Sequence, residues 1–341
     1  MDERIELALA GYIQRQLGAG EVKVLEFSRM SGGAIQSNYA LTLECLGGRQ
    51  PGRLELVVRS DSPSIIAVSH SREQEFRILS VAYEAGVRVP RPLWLCTDLS
   101  VIGHVFCVMA RVYGTAAGRE LVRGGLAAHQ ARGLVCQLGQ ELARLHTVRP
   151  PHAQLEFLPL PGQSPALARV HEYRNALDAV PEPHPVLEWS LNWLQDHAPA
   201  SHDIVLCHGD FRTGNYMVDE GRLAGILDWE FSAWSDPYED LGWLCAKSWR
   251  FGAMDKPVGG IGQKADLFEA YSGTSGRVVD PGTVLYWEAM GMARWAIIAL
   301  QQAQRHMSGE QPSLELALTG RLVPEIEFDL LGQIRAIEDA R

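Results

Sequence analysis

Apolar residues Ile5, Leu9, Tyr12, Ile13 and Leu17 fall near one face of a helix over residues 3–17, and Gly18 and Gly20 stop it. The pattern then becomes strand-like, with apolar runs at Val22–Phe27, Tyr39–Cys45 and Leu54–Arg59. Residues 70–86, rich in charge and closing on Gly86, predict a second helix. Val87-Arg88-Val89-Pro90-Arg91-Pro92 follows as an extended connector, because a proline keeps the residue before it out of the helical region. Two more strands fit Leu93–Thr97 and Val105–Arg111, and helical patterns dominate from about residue 115 onward. The change of period predicts an α+β chain, sheet-rich over residues 1–112 and helical over 113–341, with the boundary near Met109–Gly114. Eight of the 18 prolines lie in 150–185, so that stretch cannot be one continuous helix.

The 341 residues suffice for two lobes, each with its own core. Net charge of −10 argues against a general nucleic-acid binder, but not against phosphate ligands held by local arginine and metal. The apolar stretch 285–300 contains Glu288 and Arg294, which predicts a buried helix and not a membrane span. The opening Met1-Asp2-Glu3-Arg4 and the six scattered cysteines predict a reduced, cytoplasmic protein. The 11 histidines show no HxxxH or HxH spacing that would suggest zinc, and no G-x-S-x-G elbow exists to make His208 a hydrolase base. Only four of the 31 basic residues are lysines, so a phosphate-binding cation in the N-terminal half is expected to be an arginine.

The chemistry concentrates between His208 and Asp240. His208-Gly209-Asp210 is followed by Asn215, five residues after the aspartate, and by Asp228, thirteen further on. Phosphoryl transfer needs one carboxylate to orient the attacking hydroxyl and accept its proton, and oxygen ligands to hold magnesium on the phosphates. The aspartate-to-asparagine spacing is that of the protein-kinase catalytic loop, with Gly209 where that loop has arginine. Tyr216-Met217-Val218 and Leu223–Leu227 read as two short strands around an Asp219-Glu220-Gly221 turn, a hairpin that would bring Asp228 back beside Asn215. Asp210 is therefore the expected catalytic base, and Asn215 and Asp228 the expected Mg2+ ligands.

HGDxxxxN, a strand-borne aspartate and then Asp236-Pro237-Tyr238-Glu239-Asp240-Leu241-Gly242-Trp243 together resemble the aminoglycoside phosphotransferase and choline kinase family. Leu227-Asp228-Trp229-Glu230 and Arg294-Trp295-Ala296-Ile297-Ile298 resemble the subgroup that includes the kinase-like domain fused to some acyl-CoA dehydrogenases. The resemblance implies a protein-kinase-like fold, with a small antiparallel-sheet lobe that binds nucleotide and a larger helical lobe for catalysis and acceptor binding. It also implies ATP and Mg2+ as cofactors, a small hydroxylated molecule as acceptor, and His208 as a brace of the catalytic loop, with Asp236 and Asp240 in support.

The remaining site residues follow from that likeness. Ser31-Gly32-Gly33 lies between the first two strands and is the expected phosphate loop, although a Gly-Gly pair also makes an ordinary hairpin turn. Arg59 occupies the position where kinases carry a phosphate-binding lysine, with Glu75 as its expected partner and Glu73 as the competitor on the same helix. Backbone groups near Met109 and Arg111 would take the adenine. A pseudokinase, binding nucleotide without turnover, is the alternative raised by Arg59. Leu227-Asp228-Trp229 in place of Asp-Phe-Gly, with no Ala-Pro-Glu segment after it, argues against a protein kinase. The acceptor is left open between a polycationic aminoglycoside and a hydroxylated metabolite such as a hydroxyacyl thioester.

Overall fold

The computed structural model describes residues 2–30, 37–61, 69–200 and 203–340. Helix α1 (Asp2–Leu17) precedes strands β1 (Glu21–Arg29), β2 (Ser37–Leu46) and β3 (Gly52–Ser60), then α2 (Arg72–Glu84), β4 (Pro92–Cys96) and β5 (Phe106–Ala110). The five strands form one antiparallel sheet in the order β1-β2-β3-β5-β4. Alternation along the strands sorts the side chains between its faces. Leu41, Leu43, Leu56, Val58, Phe106 and Val108 pack with Leu9 and Ile13 of α1. Val57, Cys107 and Met109 take the other face, with Ile78, Leu79 and Ala82 of α2. Ser71 starts α2 with a reciprocal capping box to Gln74.

The chain leaves the sheet through Gly114, whose φ of 126° and 2.4 Å of room for a Cβ against the Val218 carbonyl admit only glycine. Thr115 and Val218 then exchange two backbone hydrogen bonds of 2.9 Å, tying the crossing to the next hairpin.

Helices α3 (Gly118–Arg123), α4 (Ala128–Leu145), α5 (Pro165–Asp178) and α6 (Pro185–Asp196) follow. The proline-rich stretch is split as expected, and Pro165 and Pro185 each sit in a first helical turn, where proline costs no hydrogen bond. Next come β6 (Val205–Cys207), β7 (Tyr216–Asp219), β8 (Arg222–Ile226), β9 (Ala233–Ser235) and α7 (Pro237–Cys245). The last four helices are α8 (Lys264–Ser275), α9 (Pro281–Met307), α10 (Leu314–Gly320) and α11 (Val323–Asp339). Helix α7 stops at Cys245, because Ala246 is extended (φ −56°, ψ 142°), and a single 3-10 turn covers Lys247–Trp249.

Helix α9 runs through a core of its own with α5, α6, α7 and α11. Among the described residues no helix is long and apolar enough to cross a membrane. A third cluster joins α2 and β5 to α4, α8 and the segment 206–245, so the sheet-bearing half and the helical half share packed side chains. The result is the expected small antiparallel-sheet lobe followed by a mainly helical one, the protein-kinase-like α+β architecture.

Candidate active site

Strand β6 delivers His208-Gly209-Asp210 into the space between sheet and helices. Gly209 has a φ of 77°, and a Cβ there would meet the Phe231 carbonyl oxygen at 2.1 Å. No side chain fits, which explains glycine where protein kinases carry arginine. The buried Asp240 carboxylate accepts the backbone N–H groups of His208 (2.7 Å) and Gly209 (3.0 Å). Burial alone would raise its pKa, but the His146 ring and the His208 amide hold it below the ordinary range. His208 donates from Nε2 to the Leu227 carbonyl (2.8 Å) and accepts the Asp210 amide at Nδ1 (3.2 Å), an assignment that follows from the partners. It is the brace the sequence implied. Asp236 caps α7 through Tyr238 N–H (2.8 Å).

Asp210 is 9% exposed. Its Oδ1 accepts Trp243 Nε1–H (2.7 Å) and Arg212 Nε–H (3.1 Å), and its Oδ2 accepts Asn215 Nδ2–H. A carboxylate offers about four lone-pair sites, so three donors leave one. Asn215 spends both amide hydrogens on Asp210, the second on its backbone carbonyl (2.9 Å). Its Oδ1 accepts nothing from the described residues.

The β7–β8 hairpin forms as the sequence predicts. Glu220 (φ 47°) and Gly221 (φ 79°) supply the two left-handed positions of a tight hairpin turn. Leu227 N–H donates to the Asn215 carbonyl (2.8 Å), which sets the next residue, Asp228, beside Asn215. Asp228 itself is left-handed (φ 58°), uncommon for a residue with a Cβ, and its side chain is 44% exposed.

Arg59 comes from the sheet face opposite α1. Its Nη1 meets Glu75 Oε1 at 2.9 Å, and its Nη2 meets Asp228 Oδ1 at 3.1 Å. Burial works against its charge, but Glu75 and then Asp228 outweigh it and raise its pKa above that of ordinary arginine. Glu75 is thus the partner, shared with Arg72, while Glu73 pairs with Arg77 on the exposed side of α2. Glu230 stands close by: burial, then the Asp228 and Glu75 carboxylates, push its carboxyl up to about 7.

The other expected nucleotide contacts are placed less directly. Met109 lies on the same sheet face as Arg59, pairing with Val57 as Arg59 pairs with Cys107. Arg111 spends its backbone N–H on the Glu55 carbonyl (2.9 Å) and stacks its guanidinium over Tyr113, 4.8 Å from the ring centre. No hydrogen bond or ion pair among the described residues joins either to the catalytic loop. Ser31, Gly32 and Gly33 lie outside the described residues.

Three residues at the site carry roles that the sequence reading missed: Arg212 and Trp243 on Asp210, and Arg294, which donates to the Gly209 carbonyl. Trp243 and Arg294 stood inside the quoted motifs, but no spacing rule ties them to Asp210. One buried trio, His146, Cys207 and Asp240, brings its possible ligand atoms within 4.8 Å. Its atoms are committed to Tyr271, the Asp236 carbonyl, each other and the loop amides, so it is a brace behind the loop.

Known proteins resemble this chain in sequence and fold. The model of the phosphotransferase enzyme family matches residues 26–276. Mouse acyl-CoA dehydrogenase family member 10 is 29% identical over 244 residues, 70% of this chain and 22% of that protein. Human acyl-CoA dehydrogenase family member 11 is 30% identical over 197 residues, 56% of this chain and 25% of that protein. The chain thus spans about a quarter of the length of these relatives. Among solved structures, a Ralstonia eutropha protein assigned provisionally as an aminoglycoside phosphotransferase superposes with a TM-score of 0.77 at 21% identity, covering 97% of this chain and 98% of that one. Spectinomycin phosphotransferase, in complex with ADP and spectinomycin, gives 0.59 at 14% identity, covering 96% and 98%. The match over residues 26–276, most of its length, shows that the chain belongs to the phosphotransferase enzyme family.

Proposed function

We propose that the protein transfers the γ-phosphoryl group of Mg·ATP to a hydroxyl of a small molecule. The observation that carries this reading is the convergence of Asp210, Asn215 and Asp228 from one loop and one hairpin, with Arg59 reaching Asp228 from the sheet. Residues 1–112 would hold the nucleotide, with Ser31, Gly32, Gly33 and Arg59 toward the phosphates and the Met109–Arg111 segment toward the base. Residues 113–341 would supply the catalytic loop and the acceptor site.

The donor set fits magnesium. Mg2+ prefers hard oxygen ligands, one or two carboxylates and substrate phosphates. Asn215 Oδ1 takes no protein donor among the described residues, and the Asp228 carboxylate has one oxygen beyond the one on Arg59. Bound there, the ion would neutralise phosphate charge. Arg59 would add positive charge on the same side. Asp210 has one lone-pair site left for the acceptor hydroxyl and is held rigidly by its other donors. As the hydroxyl oxygen bonds the γ-phosphorus, its proton passes to Asp210, and the bridging oxygen leaves with ADP, keeping the electron pair of the broken bond. Most of the acceleration would come from positioning and charge.

Mn2+, a paramagnetic stand-in for Mg2+, tests the metal site by electron paramagnetic resonance in the presence of ATP. Asp228→Asn suits the test, because asparagine tolerates the left-handed backbone. The expected outcome is nucleotide-dependent Mn2+ binding in the wild type, weakened by about tenfold or more in the variant. Metal binding unaffected by ATP, or equal in both proteins, would sink the assignment. The pseudokinase alternative shares this binding but lacks turnover, and the presence of Asp210 together with both metal-side residues disfavours it.

A further inference from the structure

The proposed transfer leaves open what molecule carries the hydroxyl, and the Oδ1 side of Asp210 bears on that question. Arg212 and Arg294 both stand there. Arg212 donates to Asp210 Oδ1 and sets its guanidinium over Trp249, 4.5 Å from the ring centre. Arg294 donates to the carbonyl of Gly209 and lies over Trp243, again at 4.5 Å. The two rings are neighbours, 5.0 Å between centres, and Trp243 bonds the same Oδ1 as Arg212. Arg294, Trp243, Trp249 and Arg212 therefore pack in one row beside the catalytic carboxylate, both rings buried and the two guanidiniums forming its partly exposed surface.

The fold builds this surface deliberately close. Gly242 lets α7 approach α9, since a Cβ there would meet Trp287 Cβ at 2.4 Å. Gly291 admits the Trp243 ring, leaving 3.0 Å to a Cβ. Arg294 follows Gly291 by three residues, on the same face of α9.

Charge decides what such a surface prefers. The carboxylates of α7 and α9 are Glu239, Asp240 and Glu288. Glu239 is held by Arg169 (2.9 Å), Glu288 by Lys264 and Arg250, and Asp240 by His146 and the loop amides. Among the described residues Arg294 forms no ion pair with any carboxylate, and Arg212 shares only Asp210. Taken together, Asp210, Arg212 and Arg294 leave a net positive charge at the point where the hydroxyl would bind, although the whole chain carries −10. Both arginines are partly exposed, Arg212 with 27% of its side chain and one nitrogen on the Thr213 carbonyl (3.4 Å), so part of each guanidinium faces outward.

We infer that Arg212 and Arg294 form an anion clamp, and that the acceptor is a small hydroxylated molecule bearing a carboxylate or phosphate group near the hydroxyl. The inference rests on the phosphotransferase reading and narrows it. A planar guanidinium fork matches either anion. A polycation such as an aminoglycoside would meet repulsion at this point.

Two readouts on the full chain separate the clamp from the transfer reaction. Tryptophan fluorescence titrations measure binding of glycerate, glycerol phosphate, methyl glycerate, glycerol and kanamycin, and ADP formation measures turnover with the same compounds. The expected result is that glycerate or glycerol phosphate binds at least about tenfold tighter than its neutral counterpart, and that Arg294→Gln removes this preference, a loss of about 10–100-fold for a charged hydrogen bond. ATP affinity should not move, and Arg294→Lys should restore part of the preference. The two anions distinguish a carboxylate site from a phosphate site. Should Arg294→Gln fail to fold, Arg212→Lys keeps the charge, removes the fork and reads out the same preference. Anions that bind no tighter than neutral alcohols in the wild type, or a preference that survives in the variants, would overturn the clamp. Anion preference without ADP formation from any compound would keep the clamp and count against the transfer reading.

Discussion

At the scale of single residues, Arg59 shows how one cation serves two carboxylates. One guanidinium spans Glu75 and Asp228 at the same time, at 2.9 and 3.1 Å from different nitrogens. A lysine ammonium is a point charge on a flexible stem and would hold one of them well. Arg59→Lys is therefore expected to fold and to raise the KM for ATP several-fold. Arg59→Ala should cost about 3 kcal/mol of stability, because the buried Glu75 would keep only Arg72, and urea denaturation measures the difference. Glu230 gives a pH signature. Its carboxyl rises from 4.5 unfolded to about 7 folded, so the folded state holds the extra proton between those values. By linkage, its contribution to stability falls as pH rises from about 4.5 through about 7. In EDTA, Glu230→Gln should therefore raise the melting temperature relative to wild type at pH 8, by an amount equivalent to about 1–3 kcal/mol, and the gain should shrink towards pH 5. An equal gain at both values would rule out this titration. Asp210, Asn215 and Asp228 were legible in the sequence because all three sit on one loop and one hairpin, where spacing along the chain fixes spacing in space. Trp243 and Arg294 were not, because their meeting depends on how α7 crosses α9, and Arg212, although only two residues from Asp210, carries no spacing rule of its own.

At the scale of elements, period and turn chemistry carried most of the reading. The five strands, α2 and the β7–β8 hairpin stand where alternation, Gly86 and the Glu220-Gly221 turn put them. The end of α7 is not legible in the sequence, since nothing in Leu244-Cys245-Ala246-Lys247 marks the extended Ala246 that breaks it. That break turns Trp249 against Trp243 and Trp295 and so shapes the aromatic cluster behind the two arginines. The α7–α9 crossing is the element contact on which the site depends most. Gly242→Ala would force a Cβ into Trp287 and push the helices apart. The expected cost is about 1–3 kcal/mol, seen in thermal denaturation, with a fall in kcat because Trp243 is drawn away from Asp210. A variant with wild-type stability and kcat would show that the crossing can relax without disturbing the loop.

At the scale of the whole molecule, the division into halves is real in secondary structure but not in packing. Side chains from α2 and β5 share one cluster with α4, α8 and the catalytic segment, so the sheet that carries Arg59 is seated on the helices that carry Asp210. Composition could not reveal this shared core, which arises from apolar residues scattered from Ile78 to Val284. Nor could total charge foretell the acceptor side, where two arginines stand in a chain of net −10. The chain spans about a quarter of its acyl-CoA dehydrogenase relatives, so the activities of those longer proteins do not transfer to it as they stand. What does carry over is the family's fold, and on it we propose that Asp210 directs a phosphoryl group from nucleotide to alcohol. The most direct measurement is transfer of label from [γ-32P]ATP to an anionic alcohol in the presence of Mg2+, with wild type and Asp210→Asn side by side. The expected result is a labelled product from the wild type and a rate lower by about 10²–10⁴-fold in the variant, which still binds ATP. Label transfer by Asp210→Asn at the wild-type rate would contradict the assignment.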